Sequence, residues 1–278
     1  MKRLLIVGHG DIARRAAARL PAGYEFRSIS RRLGADLDRP ETLAPFAGWA
    51  QSVLHSAPPP QQGDRDPRTA KLLAVLDRGA IIPARIVYLS TSGVYGDCGG
   101  ALVDEWRPLN PRTARAKRRA DAELQLTEWS ATRGVQLVVL RVPGIYAAGR
   151  LPLERLRAGT PVLRAEDDVY TNHIHADDLA SICVRALEDG APAGAYNACD
   201  ESALKVGDWL DLVADRADLP RPARISREEA AARIPAALLS FMSESRRLSN
   251  ARLKRVLGMR LAYPTVFEGV PRMREAVA

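Results

Sequence analysis

The first thirteen residues carry the feature that most restricts the fold of this 278-residue chain. An apolar run at residues 4–7 leads directly into the turn Gly8-His9-Gly10-Asp11-Ile12-Ala13, which has the pattern G-x-G-x-x-A. Gly8 permits a tight turn, and Gly10 lets the backbone approach a pyrophosphate. Because an Ala- and Arg-rich stretch follows, we expect a strand, a glycine turn and a helix whose first N–H groups face a phosphate.

The rest of the chain repeats this alternation of strand and helix. The predicted strands are residues 2–7, 24–30, 51–56, 85–90 and 135–142, and the predicted helices between them are 11–20, 68–78 and 111–132. Short apolar or β-branched runs that alternate with helices are typical of βαβ units and a parallel sheet. We therefore predict an α/β fold, namely a Rossmann-type doubly wound parallel sheet with a small C-terminal substrate lobe.

The pattern becomes less regular after about residue 147. We predict a dinucleotide-binding domain at residues 1–146, whose core also includes residues 174–200, and a mainly substrate-binding lobe at 147–278. Further helices are expected at residues 176–188, 206–217, 227–239 and 250–257, with a strand near Tyr196.

Composition limits the partners of the chain. The formal charge of +8 suggests nucleic acid, but only five of the 41 basic residues are lysines, and neither a recognition motif nor an aromatic stacking platform is present. No run approaches the ~18 apolar residues of a membrane span, and the apolar segment before Gly8 is too short for a signal peptide. We expect a cytoplasmic protein with three reduced cysteines and a small-molecule substrate, bound neither to membrane nor to nucleic acid.

The end of the second predicted strand indicates which nucleotide is bound. An NAD site would place Asp or Glu there to bind the ribose 2′-hydroxyl. This strand instead ends in Ser30-Arg31-Arg32. A guanidinium suits a 2′-phosphate through paired, charge-assisted hydrogen bonds, so NADP(H) is favoured over NAD. The alternative, that Arg31 and Arg32 are solvated loop charges in an Arg-rich protein, stays open.

Several segments, in matching order, resemble the NAD-dependent epimerase/dehydratase family of extended short-chain dehydrogenase/reductases. They are Asp36-Leu37, Leu89-Ser-Thr-Ser-Gly-Val-Tyr-Gly96, Val103-Asp-Glu105, Arg141-Val-Pro-Gly-Ile-Tyr146, Asn172-His-Ile-His-Ala-Asp-Asp-Leu-Ala180 and Tyr196-Asn197. The resemblance implies that Asp36 and Leu37 lie at the adenine and that the Arg141–Tyr146 turn lies beside the nicotinamide. Together with the glycine turn it predicts these cofactor contacts: Gly8, Gly10, Asp11, Ile12, Arg31, Arg32, Asp36, Leu37, Ser56, Ala57, Arg119 and Pro143.

The chain departs from this family at the residues that perform catalysis. The family carries Tyr-x-x-x-Lys early in the helix predicted from Pro111, where the phenol moves a proton and the lysine lowers its pKa. Aligning Pro111 and Glu123 with the family puts Arg115 in the Tyr position and Arg119 in the Lys position. Thr91 falls where the family has its catalytic Ser or Thr. Arginine cannot shuttle protons, because its pKa exceeds 12.

Other residues do not restore the missing pair. Thr113 and Lys117 keep the spacing, but an aliphatic hydroxyl does not ionise near neutral pH. Tyr95 and Tyr146 are the nearby phenols, and both belong to family motifs that explain them structurally; we keep Tyr146 as a candidate acid.

A cluster of arginines marks the same predicted helix. Arg112, Arg115 and Arg119 are predicted to share one helical face. They either bind an anion or form a solvated face paired with Asp121 or Glu123.

These observations lead to one prediction and one alternative. We predict an NADP(H)-binding oxidoreductase or epimerase/dehydratase-like protein that acts on a small polar substrate through a non-standard site with Thr91, Arg115 and Tyr146. The alternative is a non-catalytic NADP(H)-binding sensor or regulator. His173 and His175 alternate beside Asp177, but the family pattern already explains this stretch, so no metal site is predicted. A homodimer is left open.

Overall fold

A six-stranded parallel sheet forms the centre of the structure, a computed structural model that describes residues 1–272. In chain order the strands are β1 (Lys2–Val7), β2 (Tyr24–Ile29), β3 (Ser52–His55), β4 (Arg85–Thr91), β5 (Leu102–Val103), β6 (Gln136–Val142), β7 (Gly144–Tyr146), β8 (Val162–Leu163), β9 (Tyr170–Thr171), β10 (His173–His175), β11 (Gly194–Asn197), β12 (Leu204–Lys205), β13 (Arg224–Ile225) and β14 (Arg247–Leu248). The sheet has the order β11-β6-β4-β3-β1-β2, and all its pairs are parallel. The predicted fold class is confirmed, and β11 is the strand expected near Tyr196.

Helices cover both faces of this sheet. They are α1 (Asp11–Ala17), α2 (Pro67–Leu76), α3 (Ala114–Arg133), α4 (Leu153–Arg157), α5 (Ala176–Leu187), α6 (Val206–Arg216), α7 (Arg227–Arg233), α8 (Ala236–Leu239), α9 (Ala251–Arg255) and α10 (Val266–Gly269). Apolar side chains of α1 and α5 pack on one face, and those of α2 and α3 pack on the other. Burial on both faces explains why the strands are almost continuously apolar. None of the helices within residues 1–272 has the length and apolar character needed to cross a bilayer.

Two helix predictions are wrong in detail. The helix predicted from Pro111 begins at Ala114, where the Thr113 hydroxyl accepts a hydrogen bond from the Ala116 N–H at 3.2 Å. Thr113 is therefore the N-cap, and the Asn110 N–H donates to the Val94 carbonyl at 2.9 Å in the segment before the helix. Arg112 therefore precedes the helix and does not share a helical face with Arg115 and Arg119.

The other correction is a break in the lobe. Residues 227–239 form α7 and α8 instead of one helix, since Pro235 disfavours helical geometry at the preceding residue. The C-terminal part also returns to the sheet, because Leu253 of α9 joins the core formed by α1 and α5. The division at residue 146 stays a prediction, and its last residues, 273–278, lie outside the described chain.

The strand order creates a topological switch point. β1 pairs with β2 on one side and with β3 on the other. The chain therefore moves outward from β1 to β2 and then crosses back to continue the sheet on the opposite side of β1. In open α/β sheets, ligands bind outside the carboxyl ends of the strands at such a point. Between β2 and β3 the chain forms two 3₁₀ helices, Arg31–Leu33 and Pro40–Phe46, so β2 is the edge of the sheet.

Candidate functional site

Three cavities follow the carboxyl ends of the strands and share lining residues. The nucleotide cavity, about 410 Å³, lies at the ends of β1, β2 and β3 around Gly10 and Arg31. The middle cavity, about 350 Å³, lies around Arg118 and Arg119. The reaction cavity, about 410 Å³, extends from Thr91 into the C-terminal part. Pro58 lines the first two, and the last two share Thr91, Arg115, Pro143 and Ile145. The cavities thus form one groove.

The two glycines of the N-terminal turn have different surroundings. Gly8 has φ +90°, and a Cβ added there would lie 2.6 Å from the Ala57 N atom. Gly10 has an ordinary φ of −81°, and an added Cβ would meet nothing within 4 Å. Gly8 is therefore required by the packing of β1 against the chain after β3, whereas the space beside Gly10 belongs to the nucleotide cavity.

The predicted cofactor contacts divide into residues that line the groove and residues that support it. Eight line the nucleotide cavity: Gly8, Gly10, Asp11, Arg31, Arg32, Asp36, Leu37 and Ala57. Arg119 and Pro143 line the middle cavity. Ile12 is buried beneath the turn, and the Ser56 hydroxyl donates to the Gly8 carbonyl at 2.7 Å. Ile12 and Ser56 thus hold the turn and do not present side chains to the cavity.

Positive charge predominates in the nucleotide cavity. Arg31 and Arg32 follow β2, are exposed, and form no ion pair with any residue in 1–272. The Asp11 carboxylate is already paired with Arg15 at 3.0 Å and with Arg150 at 3.3 Å. Two guanidiniums are therefore free to bind an anion at the end of β2.

Arg119 is anchored in the middle cavity. Its Nη1 donates to the Leu89 carbonyl at 2.6 Å and to the Tyr88 hydroxyl at 3.3 Å. Arg118, which sequence reasoning missed, is buried and donates to the Gly63 carbonyl at 2.6 Å. A guanidinium has five N–H groups, so Arg119 can keep these contacts and still bind a ligand.

A buried polar network lies beneath the groove and occupies the acids of α3. Glu123 pairs with Arg141 at 3.0 Å and accepts a short hydrogen bond from the Ser90 hydroxyl. Asp121 accepts from the Asp66 N–H at 2.8 Å. Neither carboxylate pairs with Arg115 or Arg119. The pairing alternative for these arginines is therefore not observed.

Tyr95 belongs to the same network. Its hydroxyl donates to Asn197 Oδ1 at 2.8 Å and accepts from Arg141 Nη1 at 2.9 Å. Burial raises the pKa of Tyr95 to about 12. This phenol supports the sheet and lies on neither side of the groove.

Thr91 and Arg115 stand where the middle and reaction cavities meet. Thr91 ends β4, and its Oγ1 accepts a hydrogen bond from the Gly93 N–H at 3.3 Å, so its own O–H is available to the cavity. The Arg115 guanidinium lies 4.0 Å from the centre of the Phe241 ring. Desolvation lowers the pKa of Arg115 from its usual value, although Glu244 opposes this shift.

The comparisons with known proteins agree with this geometry. The model of the NAD-dependent epimerase/dehydratase family matches residues 28–199, which is more than half of the chain. The chain belongs to this family.

Individual relatives and solved structures resemble this chain over more than residues 28–199. A conserved protein of unknown function from Silicibacter pomeroyi is 30% identical, with 97% of each chain covered and a TM-score of 0.77. A GDP-6-deoxy-D-mannose reductase from Pseudomonas aeruginosa is 27% identical over 227 residues, covering 70% of this chain and 74% of that protein. A human epimerase family protein solved with NADPH shares the fold at 18% identity, 99% and 100% coverage and a TM-score of 0.76.

Family membership confirms part of what the sequence predicts. The predicted family, the predicted fold and the class of cofactor, a nicotinamide dinucleotide, are confirmed. The individual site residues, and the positions of Arg115 and Arg119 relative to the family's Tyr and Lys, stay predictions.

Tyr146 has an environment that does not favour proton transfer in this family member. Its side chain is 2% exposed, and its hydroxyl donates to the Thr265 carbonyl at 3.3 Å. Burial, with smaller contributions from Asp200 and Asp178, raises the pKa of Tyr146 far above its usual value. The phenol is therefore held against the C-terminal segment.

Residues of the reaction cavity that sequence reasoning missed come mainly from the C-terminal part. They include Arg155, Trp209, Phe241, Glu244 and Arg246. They belong to no motif, and no spacing in the sequence connects them. The only signal for Arg155 and Arg246 was the high arginine content of the chain, and composition does not distinguish an arginine on the surface from one in a cavity.

Proposed function

We propose that this chain is an NADP(H)-dependent oxidoreductase or epimerase-like enzyme that acts on a small polar carbonyl or alcohol compound. The observation that carries the proposal is the continuous groove from Gly10 to Thr91. A dinucleotide at the switch point would extend along it toward Thr91.

The residues present fit the phosphates of such a cofactor. Gly10 lines the nucleotide cavity, and an added Cβ would meet no protein atom within 4 Å, so a glycine here lets a bound pyrophosphate approach the backbone. The unpaired Arg31 and Arg32 supply charge for a 2′-phosphate, and no carboxylate directly follows β2 to bind a 2′-hydroxyl. These features favour NADP(H) over NAD.

Named relatives support the same choice of activity and cofactor. The curated relative from Pseudomonas aeruginosa is named as a reductase, and two structures that share this fold were solved with NADPH. None of these comparisons favours a non-catalytic sensor or regulator.

The reacting end of the groove would use side chains that keep their protonation state, so water would supply or accept the proton that accompanies hydride transfer. When bound, NADP(H) would supply or accept the hydride. Thr91 would donate its O–H to the substrate oxygen, because Thr91 Oγ1 accepts from the Gly93 N–H and its O–H donates to no residue of the described chain. Arg115 would stabilise negative charge that develops on that oxygen or on a neighbouring group. Arg119 would bind the cofactor from its anchored position and could not act as a base.

Because the expected catalytic tyrosine is not found in the sequence, we predict a slow reaction. General acid–base catalysis contributes about 10²–10⁴ in rate, so wild-type turnover on ordinary carbonyl compounds should be slow. Arg115→Tyr with Arg119→Lys should accelerate it if these positions correspond to the family's pair. Adding Thr91→Val to either protein should reduce turnover at least tenfold.

NADPH oxidation against a panel of aldehydes and ketones measures these effects. Thr132→Val, an exposed threonine at the far end of α3, serves as the control and should leave the rates unchanged. Fast wild-type turnover that Thr91→Val does not alter would show that the reacting end lies elsewhere.

A further inference from the structure

Polar atoms without partners concentrate around the reaction cavity. Within residues 1–272, buried side-chain atoms that lack any hydrogen-bond partner in the protein include His173 Nδ1, Arg155 Nε, Glu244 Oε1 and Arg246 Nε. All four belong to residues that line this one cavity. Native proteins leave few buried polar groups unsatisfied. Four of the eight such atoms within residues 1–272 belong to residues around this one cavity, which favours a polar ligand there.

Arg155 is the most unusual of these residues, because it carries a charge and forms no ion pair, whereas Glu244 and Arg246 pair with each other. Its Nη2 has only a long contact, 3.5 Å, to the Pro161 carbonyl. It forms no ion pair within the described chain, and burial lowers the pKa of its guanidinium. The acid that acts on it, Asp168, already accepts the N–H groups of Gly207 and Val169 at 2.8 Å each.

Two other arginines that line this cavity do have carboxylate partners, whereas Arg115, like Arg155, has none among residues 1–272. Arg246 pairs with Glu244 at 2.9 Å, and Arg150 pairs with Asp11 at 3.3 Å. A largely buried cation destabilises the fold unless a counter-charge accompanies it. The counter-charge of Arg155 is therefore expected to come from outside the chain.

His173 adds a neutral hydrogen-bonding group to the same cavity. It is 4% exposed, and its ring centre lies 4.3 Å from that of Trp209. Burial lowers the pKa of His173 to about 3, so the imidazole stays uncharged at neutral pH. A neutral imidazole has one donor and one acceptor nitrogen, which suits a hydroxyl group, and Glu244 Oε1 can accept from another.

We propose that the reaction cavity binds a hydroxylated acid whose carboxylate or phosphate group is held by Arg155, with His173 and Glu244 bonding its hydroxyl groups. Arg155 lines the reaction cavity and neither of the other two. The anionic group therefore belongs to the substrate and not to the nucleotide. That the bound acid is a substrate rests on the proposed function, whereas the binding of an anion by Arg155 does not.

The stability of the free protein gives a test that requires no substrate. Arg155→Met removes a partly buried cation that has no ion pair and replaces it with an apolar side chain, so its Tm should rise by about 2–4 °C. Arg157→Met changes an exposed arginine of the same helix, α4, and should leave Tm unchanged. A lower Tm for Arg155→Met would show that Arg155 has a structural role and would overturn the proposal.

Ligand binding gives the second arm, measured with saturating NADPH so that the nucleotide cavity is filled. The probes are inorganic phosphate, glucose 6-phosphate, glucuronate and glucose. Calorimetry measures the affinity of the protein for each. The wild type and Arg157→Gln should bind at least one anion about tenfold more tightly than glucose, and Arg155→Gln should lose this difference. Preference for glucose 6-phosphate assigns a phosphate, and preference for glucuronate assigns a carboxylate.

Equal responses of the wild type and Arg155→Gln to all four probes would overturn the anion site. An NADPH titration of the same proteins separates this outcome from failure of the proposed function. Arg155→Gln should bind NADPH as the wild type does. If the wild type bound no NADPH, the proposed function would fail, while the dependence of anion binding on Arg155 would still be measured without the nucleotide.

Discussion

The nucleotide cavity and the reaction cavity lie in one groove but are constructed differently. The nucleotide cavity comes from the chain directly after β1, β2 and β3, and its shape depends on backbone conformation at Gly8 and Gly10. The reaction cavity collects side chains from distant segments, from Thr91 to Arg246. A backbone site leaves a short pattern in the sequence, whereas a side-chain site of this kind becomes visible only in three dimensions.

The largest expected effect concerns Gly10. Gly10→Val should abolish saturable NADPH binding and leave Tm nearly unchanged, because the new side chain occupies cavity space and touches no protein atom within 4 Å of its Cβ. Gly149→Val is the matched control, since Gly149 also has open space and an ordinary φ. Fluorescence titration and thermal unfolding measure both quantities. Unchanged NADPH affinity in Gly10→Val would remove this cavity as the nucleotide site.

Gly8 should behave in the opposite way. Gly8→Ala forces a Cβ to within 2.6 Å of the Ala57 backbone at a φ of +90°, so the free energy of unfolding should fall by about 2–4 kcal/mol. Denaturant unfolding measures this change. A Gly8→Ala protein as stable as the wild type would mean that the two glycines do not differ in role.

A smaller effect is expected at the end of β2. Arg31→Ala with Arg32→Ala should weaken NADPH binding by about tenfold, because a bidentate charge-assisted contact contributes roughly 1.5–3 kcal/mol. NADH affinity should stay the same, since NADH lacks the 2′-phosphate. Arg27→Ala, a change within β2 on the same surface, is a suitable control. Equal losses for NADH and NADPH would indicate a general electrostatic effect.

The smallest expected effect is on the NADPH affinity of a Thr91 variant, and it tests whether Thr91 belongs to substrate binding or to nucleotide binding. Thr91→Val should change NADPH affinity by less than about twofold while lowering turnover, because Thr91 acts on the substrate oxygen in this account. Binding and rate measured on one preparation test this. A large loss of NADPH affinity would place Thr91 in nucleotide binding instead.

The same contrast explains what the sequence could predict. The inner strands β1, β3, β4 and β6 were predictable because they are buried on both faces and therefore rich in apolar residues. The glycine turn was predictable because its conformation restricts residue type locally. The start of the third predicted helix was misplaced by three residues, since Thr113, and not a residue before Pro111, supplies the N-cap.

The reaction cavity could be predicted only where a family motif reached it. Thr91 and Arg115 were identified by alignment with such motifs. Arg155 was not, because the property that distinguishes it is the lack of an ion pair within the described chain, and this depends on how α4 packs. Arg118 was missed for a related reason: it adjoins Arg119 in the sequence, yet it turns toward Gly63.

The most direct test of the central claim is a titration of the wild-type protein with NADPH and with NADH. The account predicts saturable binding at one site per chain, with NADPH bound about tenfold or more tightly than NADH. The absence of saturable binding by either nucleotide would contradict the proposed function, and equal affinities would contradict the role given to Arg31 and Arg32.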